Sequence, residues 1–109
     1  MVAQTTLTIH VSYVGGKEDR FDWSYYSRSH LPLVMSAWGP LGLLALRAFH
    51  PDSEPLGSDA PGTIAICECV FRDEEAVAAA FAPGHATQVM ADVKRLTDLE
   101  PSRTRAVAL

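Results

Sequence analysis

The chain has no lysine or arginine run longer than the pair Lys94-Arg95, and its formal net charge is −4. Without a basic stripe to follow phosphates, nucleic acid is not expected as a partner. No apolar stretch reaches the roughly 18 residues a membrane helix needs, so no membrane association is expected. The first residues lack a basic segment followed by an apolar one, and a cytoplasmic protein is expected. There is no Gly-rich phosphate cradle: Gly39-Pro40-Leu41-Gly42 follows a predicted helix, not a strand. No serine sits in a nucleophile elbow. The four histidines are scattered, and none pairs at helical spacing with another His, Asp or Glu, so no metal site and no cofactor are expected. Only two cysteines occur, Cys67 and Cys69. On a strand they share a face, too far apart and too parallel for an easy disulfide, so both are expected reduced and buried.

What is present suits one folded domain over residues 1–109. A hydrophobic fraction of 48% with 20% charged residues is ordinary globular composition, not disorder. A chain of this length buries about two thirds of its unfolded surface, enough for a core.

Thr5 to Val14 alternates and is rich in β-branched residues, which predicts a strand with Leu7, Ile9, Val11 and Tyr13 on one face. Gly15-Gly16-Lys17-Glu18-Asp19 predicts a turn, and a helix begins near Asp22 and stops near Gly39-Pro40. Leu41 to His50 and Thr63 to Arg72 are the second and third strands, with the Pro- and Gly-rich segment Pro51–Gly62 expected as an exposed, mobile loop between them. Asp73 caps a further helix, Pro83-Gly84 interrupts it, and Ala86, Val89, Met90, Val93 and Leu96 continue at helical spacing. Thr104 to Ala108 closes the pattern as a short strand. The order β-α-β-β-α-β predicts an α+β, ferredoxin-like sandwich: an antiparallel sheet with helices on one face. Strand three is apolar on both faces, which calls for a cover on each side. A second copy of the sheet supplies it, so a homodimer, a dimeric α/β barrel, is expected.

The chemistry concentrates in Phe21-Asp22-Trp23-Ser24-Tyr25-Tyr26-Ser27-Arg28-Ser29-His30-Leu31-Pro32-Leu33. Asp22 is a good N-cap. Trp23, Tyr26 and His30 then share one helical face, with Tyr26 and His30 a turn apart. Pro32 lacks an N–H and clashes with the carbonyl of Arg28, so the helix should kink or restart just after His30. Aromatic stripes usually belong to a core, but two phenols and an imidazole need polar partners when buried, which suits a pocket wall.

Two stretches resemble the EthD family, named for ethyl tert-butyl ether degradation, within the wider dimeric α/β-barrel group. One is Phe21-Asp22, Tyr25-Tyr26 and His30-Leu31-Pro32-Leu33; the other is Phe81-Ala82-Pro83-Gly84, Val89-Met90-Ala91-Asp92-Val93 and Thr97-Asp98. The family commonly has a basic or aromatic residue before Thr-Asp; here Arg95-Leu96 stands there, so an aromatic is missing at that point. The resemblance implies the fold and the dimer, and a range of activities: cofactor-free monooxygenases, polyketide cyclases and dehydratases, lactone isomerases and, farther off, haem enzymes.

His30 is the first candidate for catalysis, as a general base or acid, with Tyr26 as hydrogen-bond donor to an oxygen gaining charge. The alternative for His30 is a cap on loose carbonyls such as that of Arg28. Trp23, His10, Glu68 and His85 are candidate ligand-binding residues. Glu68 stands among Ile64, Ile66 and Val70, where a carboxylate needs a partner, with Arg47, Arg103 or Arg105 as candidates. His85 either caps the next helix or closes a pocket, and His50 is expected to be exposed. Two functions remain open: a cofactor-independent enzyme on a small apolar, aromatic, carbonyl- or phenol-bearing molecule, or a dimeric protein that binds such a molecule without turnover.

Overall fold

The computed structural model describes residues 6–16, 18–50, 62–107 and 109. Four antiparallel strands form one sheet: β1 (Leu7–Gly15), β2 (Leu43–Phe49), β3 (Gly62–Phe71) and β4 (Ser102–Ala106). They lie in the order β2-β3-β1-β4, the ferredoxin-like arrangement expected from the sequence. The fourth strand begins earlier than its Thr104 start in the sequence reading, because the ladder to β1 extends back through Val11↔Arg103 to Ser12↔Ser102. The expected loop 51–62 lies outside the described residues except for Gly62, and so do Thr5 and Ala108 at the ends of the expected strands.

Register sets what each sheet face carries. Ile9, Val11 and Tyr13 of β1 pair with Cys69, Cys67 and Ala65 of β3, and these side chains point under the helices. On the opposite face His10 pairs with Glu68 and Thr8 with Val70. The helical layer comprises α1 (Trp23–Tyr25), a π-turn over Tyr26–His30, α2 (Leu31–Trp38), α3 (Glu74–Ala80) and α4 (Pro83–Leu96). Among the described residues no helix is long and apolar enough to cross a membrane.

The predicted caps form. Asp22 accepts the Tyr25 N–H at 3.0 Å, and Asp73 accepts the Ala76 N–H at 2.9 Å. The interruption expected at Pro32 takes the form of the π-turn, in which the Leu31 N–H reaches the Tyr26 carbonyl, five residues back. Widening this turn relieves the proline ring of the carbonyl it would meet in a regular helix.

The start of α1 is tied to the end of α4. The Arg20 guanidinium donates to the carbonyls of Lys94 and Arg95 and to Asp98. Buried Thr97 donates its hydroxyl to the Arg20 carbonyl at 2.6 Å and accepts the Leu99 N–H. Thr97-Asp98 is therefore a clasp that fixes where the aromatic helix starts.

Candidate active site

Between the helical layer and the sheet lies a cavity of about 280 Å³. Val11, Tyr13, Cys67 and Cys69 form its sheet wall. Tyr26, His30, Val34 and Trp38 line it from the aromatic helix, Val89, Met90 and Val93 from α4, and Pro101 and Arg103 from the β4 end. Such a mostly apolar recess with a few polar groups is the usual form of a small-molecule site.

His30 is buried, and its Nδ1 lies 2.9 Å from Asp92 Oδ2. The other carboxylate oxygen accepts the Tyr25 hydroxyl at 2.6 Å, with Arg95 Nε 3.9 Å away. Only 11% of the Asp92 side chain is exposed, so these donors decide its charge state. Burial pushes its pKa up, but the hydrogen bonds from Tyr25 and His30 outweigh this and hold the carboxyl below its ordinary value. The same bond to Asp92 raises the Tyr25 phenol. An ionised Asp92 accepts a hydrogen bond from Nδ1–H, which assigns the tautomer and leaves Nε2 as the basic nitrogen of a neutral imidazole. The expected alternative, a cap on the Arg28 carbonyl, gives way to this carboxylate pairing.

Tyr26 stacks beside His30, with ring centroids 5.8 Å apart and planes 21° from parallel. Its hydroxyl is buried without an oxygen or nitrogen partner among the described residues, and its polar contact is with the Cys67 thiol, a weak acceptor. Burial raises its pKa strongly, and the neighbouring Cys67 and Tyr13 add to the shift, so it stays a protonated donor. Leaving such a group without a strong acceptor costs up to about 3 kcal/mol. The two cysteines are free, as the sequence predicts, with sulfurs 3.8 Å apart. The hydrogen bond from Cys69 lowers the Cys67 thiol against the effect of burial and raises Cys69 in return.

The other sequence candidates lie elsewhere. Trp23 is 41% exposed and packs against Phe21, Tyr26 and His50, outside the cavity wall. His10 and Glu68 sit on the opposite sheet face and pair with each other, Nε2 to Oε2 3.5 Å. The ion-pair contact of Glu68 is thus with a histidine: Arg47, one of the arginines expected, does stand directly opposite Glu68 in the β2–β3 register but lies over the Phe49 ring, while Arg103 and Arg105 share their face with Val11 and Ile9. His85 is exposed and its Nδ1 donates to the Ala79 carbonyl, so it caps the preceding helix instead of the next one. Its own carbonyl accepts the Trp38 indole N–H at 3.3 Å.

Sequence reasoning missed Asp92 and Tyr25 as site residues. Asp92 stands three after Val89 and one before Val93, at the border of the inner stripe of α4, and that position was the available signal.

An antiparallel ferredoxin-like sheet, with a cavity between sheet and helices that His30 lines and Asp92 backs, defines a small α+β protein. The sequence model of the EthD domain matches residues 16–100, and the chain belongs to the EthD family. An EthD-like protein from Ralstonia eutropha is 22% identical with a TM-score of 0.81, over 95% of this chain and 92% of that one. An ethyl tert-butyl ether degradation family protein from Bacillus halodurans is 18% identical with a TM-score of 0.66, over 94% of this chain and 100% of that one. A dimeric ferredoxin-like protein of unknown function from Thermobifida fusca is 11% identical with a TM-score of 0.50, over 99% and 96%. At these identities the likeness is one of fold. A comparison with curated proteins finds no match.

Proposed function

We propose that this protein is a homodimeric, cofactor-independent acid–base enzyme. Its substrate is a small, mostly apolar molecule bearing a carbonyl or phenol, and its chemistry is of the cyclase/dehydratase, isomerase or monooxygenase type. One observation carries the reading: a cavity-lining imidazole is tied through Nδ1 to a shielded carboxylate, one helical turn from a buried hydroxyl whose only polar contact among the described residues is a weakly accepting thiol.

In this reading Nε2 of His30 takes a proton from the carbon next to the carbonyl. The C–H electron pair becomes a C=C bond, and the C=O pair moves onto oxygen, where the Tyr26 hydroxyl donates a hydrogen bond. Asp92 holds the ring and stabilises the imidazolium, which returns its proton to carbon or to a departing hydroxyl that leaves as water. Exchange of the α-protons of 2-tetralone in D2O, followed by NMR, tests this without knowledge of the natural substrate. Exchange faster than in matched buffer is expected; none above buffer contradicts the proposal.

The second reading, a binding protein, is favoured by the valine-rich lining and by a His30–Asp92 pair that satisfies itself. Saturable 2-tetralone binding with no exchange would select it.

The open sheet face supports the homodimer. Ile66 and Val70 are half-buried there and Phe49 is 46% exposed, around the His10–Glu68 pair. Such a face is suited to a second copy of itself. The Thermobifida fusca neighbour is described as dimeric.

A further inference from the structure

Arg103 is the one cation among the side chains lining the cavity. It stands opposite Val11 on the edge strand β4, so its side chain runs along the helix-covered face. The guanidinium carbon lies 4.3 Å from the centre of the Phe81 ring, and both residues line the cavity. Stacking holds the guanidinium plane while leaving its N–H edge free to donate.

The neighbouring arginines are already engaged. Arg105 makes a forked bond to Glu74 at 2.6 and 2.9 Å, Arg20 is bound to Asp98, and Arg72 to Asp73. Arg103 is solvent-exposed where it borders the cavity, and among the described residues no carboxylate pairs with it. A positioned, unpaired guanidinium at an apolar cavity is suited to a ligand with a planar anion at one end, because the forked pairing of guanidinium with carboxylate fixes orientation as well as charge.

We propose that the cavity selects ligands composed of an apolar ring system and a carboxylate, with Arg103 as the specificity-determining residue that binds the carboxylate. This rests on the reading of the cavity as a ligand site, but not on turnover there. The ring body lies against Val34, Val89 and Val93, and the carboxylate meets the Arg103 fork at the β4 end.

The test uses 2-naphthoate and its uncharged isostere 2-naphthamide, with calorimetry on the full chain near neutral pH. Wild type is expected to bind the acid at least about tenfold more tightly than the amide, the worth of one charge-assisted contact. Arg103→Gln should abolish that preference and leave amide affinity unchanged, with an unaltered circular dichroism spectrum. His30→Ala should keep the preference, so loss of proton exchange with retained acid selectivity separates the failure of one proposal from that of the other. Equal affinities in wild type, a preference that survives in Arg103→Gln, or no binding of either probe would each overturn the assignment.

Discussion

The carboxylate of Asp92 accepts hydrogen bonds from two side chains of another helical segment, Tyr25 and His30, while itself largely shielded from water. Its depressed pKa gives a signed expectation. A carboxyl held below its ordinary value of 3.8 in the folded state stabilises the fold fully above that value, and the contribution is lost as pH falls through the lower folded pKa. Asp92→Asn should therefore cost about 1–3 kcal/mol near neutrality. The gap to wild type should close in strong acid, as read by urea unfolding across pH; a gap that does not change with pH contradicts this account of the site. Tyr26 is expected to behave in the opposite sense. Its hydroxyl is buried with no better acceptor among the described residues than the Cys67 thiol, so Tyr26→Phe should leave the melting temperature unchanged or slightly raised while slowing proton exchange by about tenfold to a thousandfold. A fall in melting temperature would mean that the hydroxyl serves the fold.

At the scale of elements, the turn after α2 governs how the aromatic helical segment meets α3. Gly42 ends the turn after α2 at φ 119°, and a side chain there would collide with the Cβ of Ala76 on α3. Gly42→Ala should destabilise by roughly 1–3 kcal/mol through the strained conformation, more if α3 shifts; a thermal scan indistinguishable from wild type would contradict this. The helix caps at Asp22 and Asp73 were legible in the sequence because each depends on neighbours within a turn. The π-turn was only half legible: Pro32 announced that regular hydrogen bonding stops, but proline chemistry alone does not choose between a kink and a widened turn. The His30–Asp92 contact spans 62 positions of chain, and no local pattern specifies which carboxylate meets the imidazole. Register sets Glu68 between His10 on β1 and the expected Arg47 on β2, and sequence alone does not tell which of the two its carboxylate reaches. Trp23 illustrates the limit of helical periodicity, which gives a shared direction but not where the cavity ends.

For the whole molecule, strand order, the helix-covered face and the identity of the family followed from alternation and motif spacing. The apolar character of both faces of β3 led to the homodimer proposal. Light scattering at micromolar concentration should give about twice the chain mass of 11.8 kDa. Ile66→Lys should dissociate or unfold that dimer, since a buried unpaired charge costs several kcal/mol, on the order of a small domain's whole stability. A monodisperse wild-type monomer would remove the closed barrel. The central claim is that the cavity performs acid–base chemistry through His30, and the most direct measurement compares wild type with His30→Ala for 2-tetralone exchange and melting temperature on the same samples. The account predicts a folded dimer whose exchange rate falls by roughly 10²–10⁴-fold, the usual worth of a positioned acid–base group. An unchanged exchange rate per folded molecule, with a lowered melting temperature, would contradict it and make His30 a structural residue.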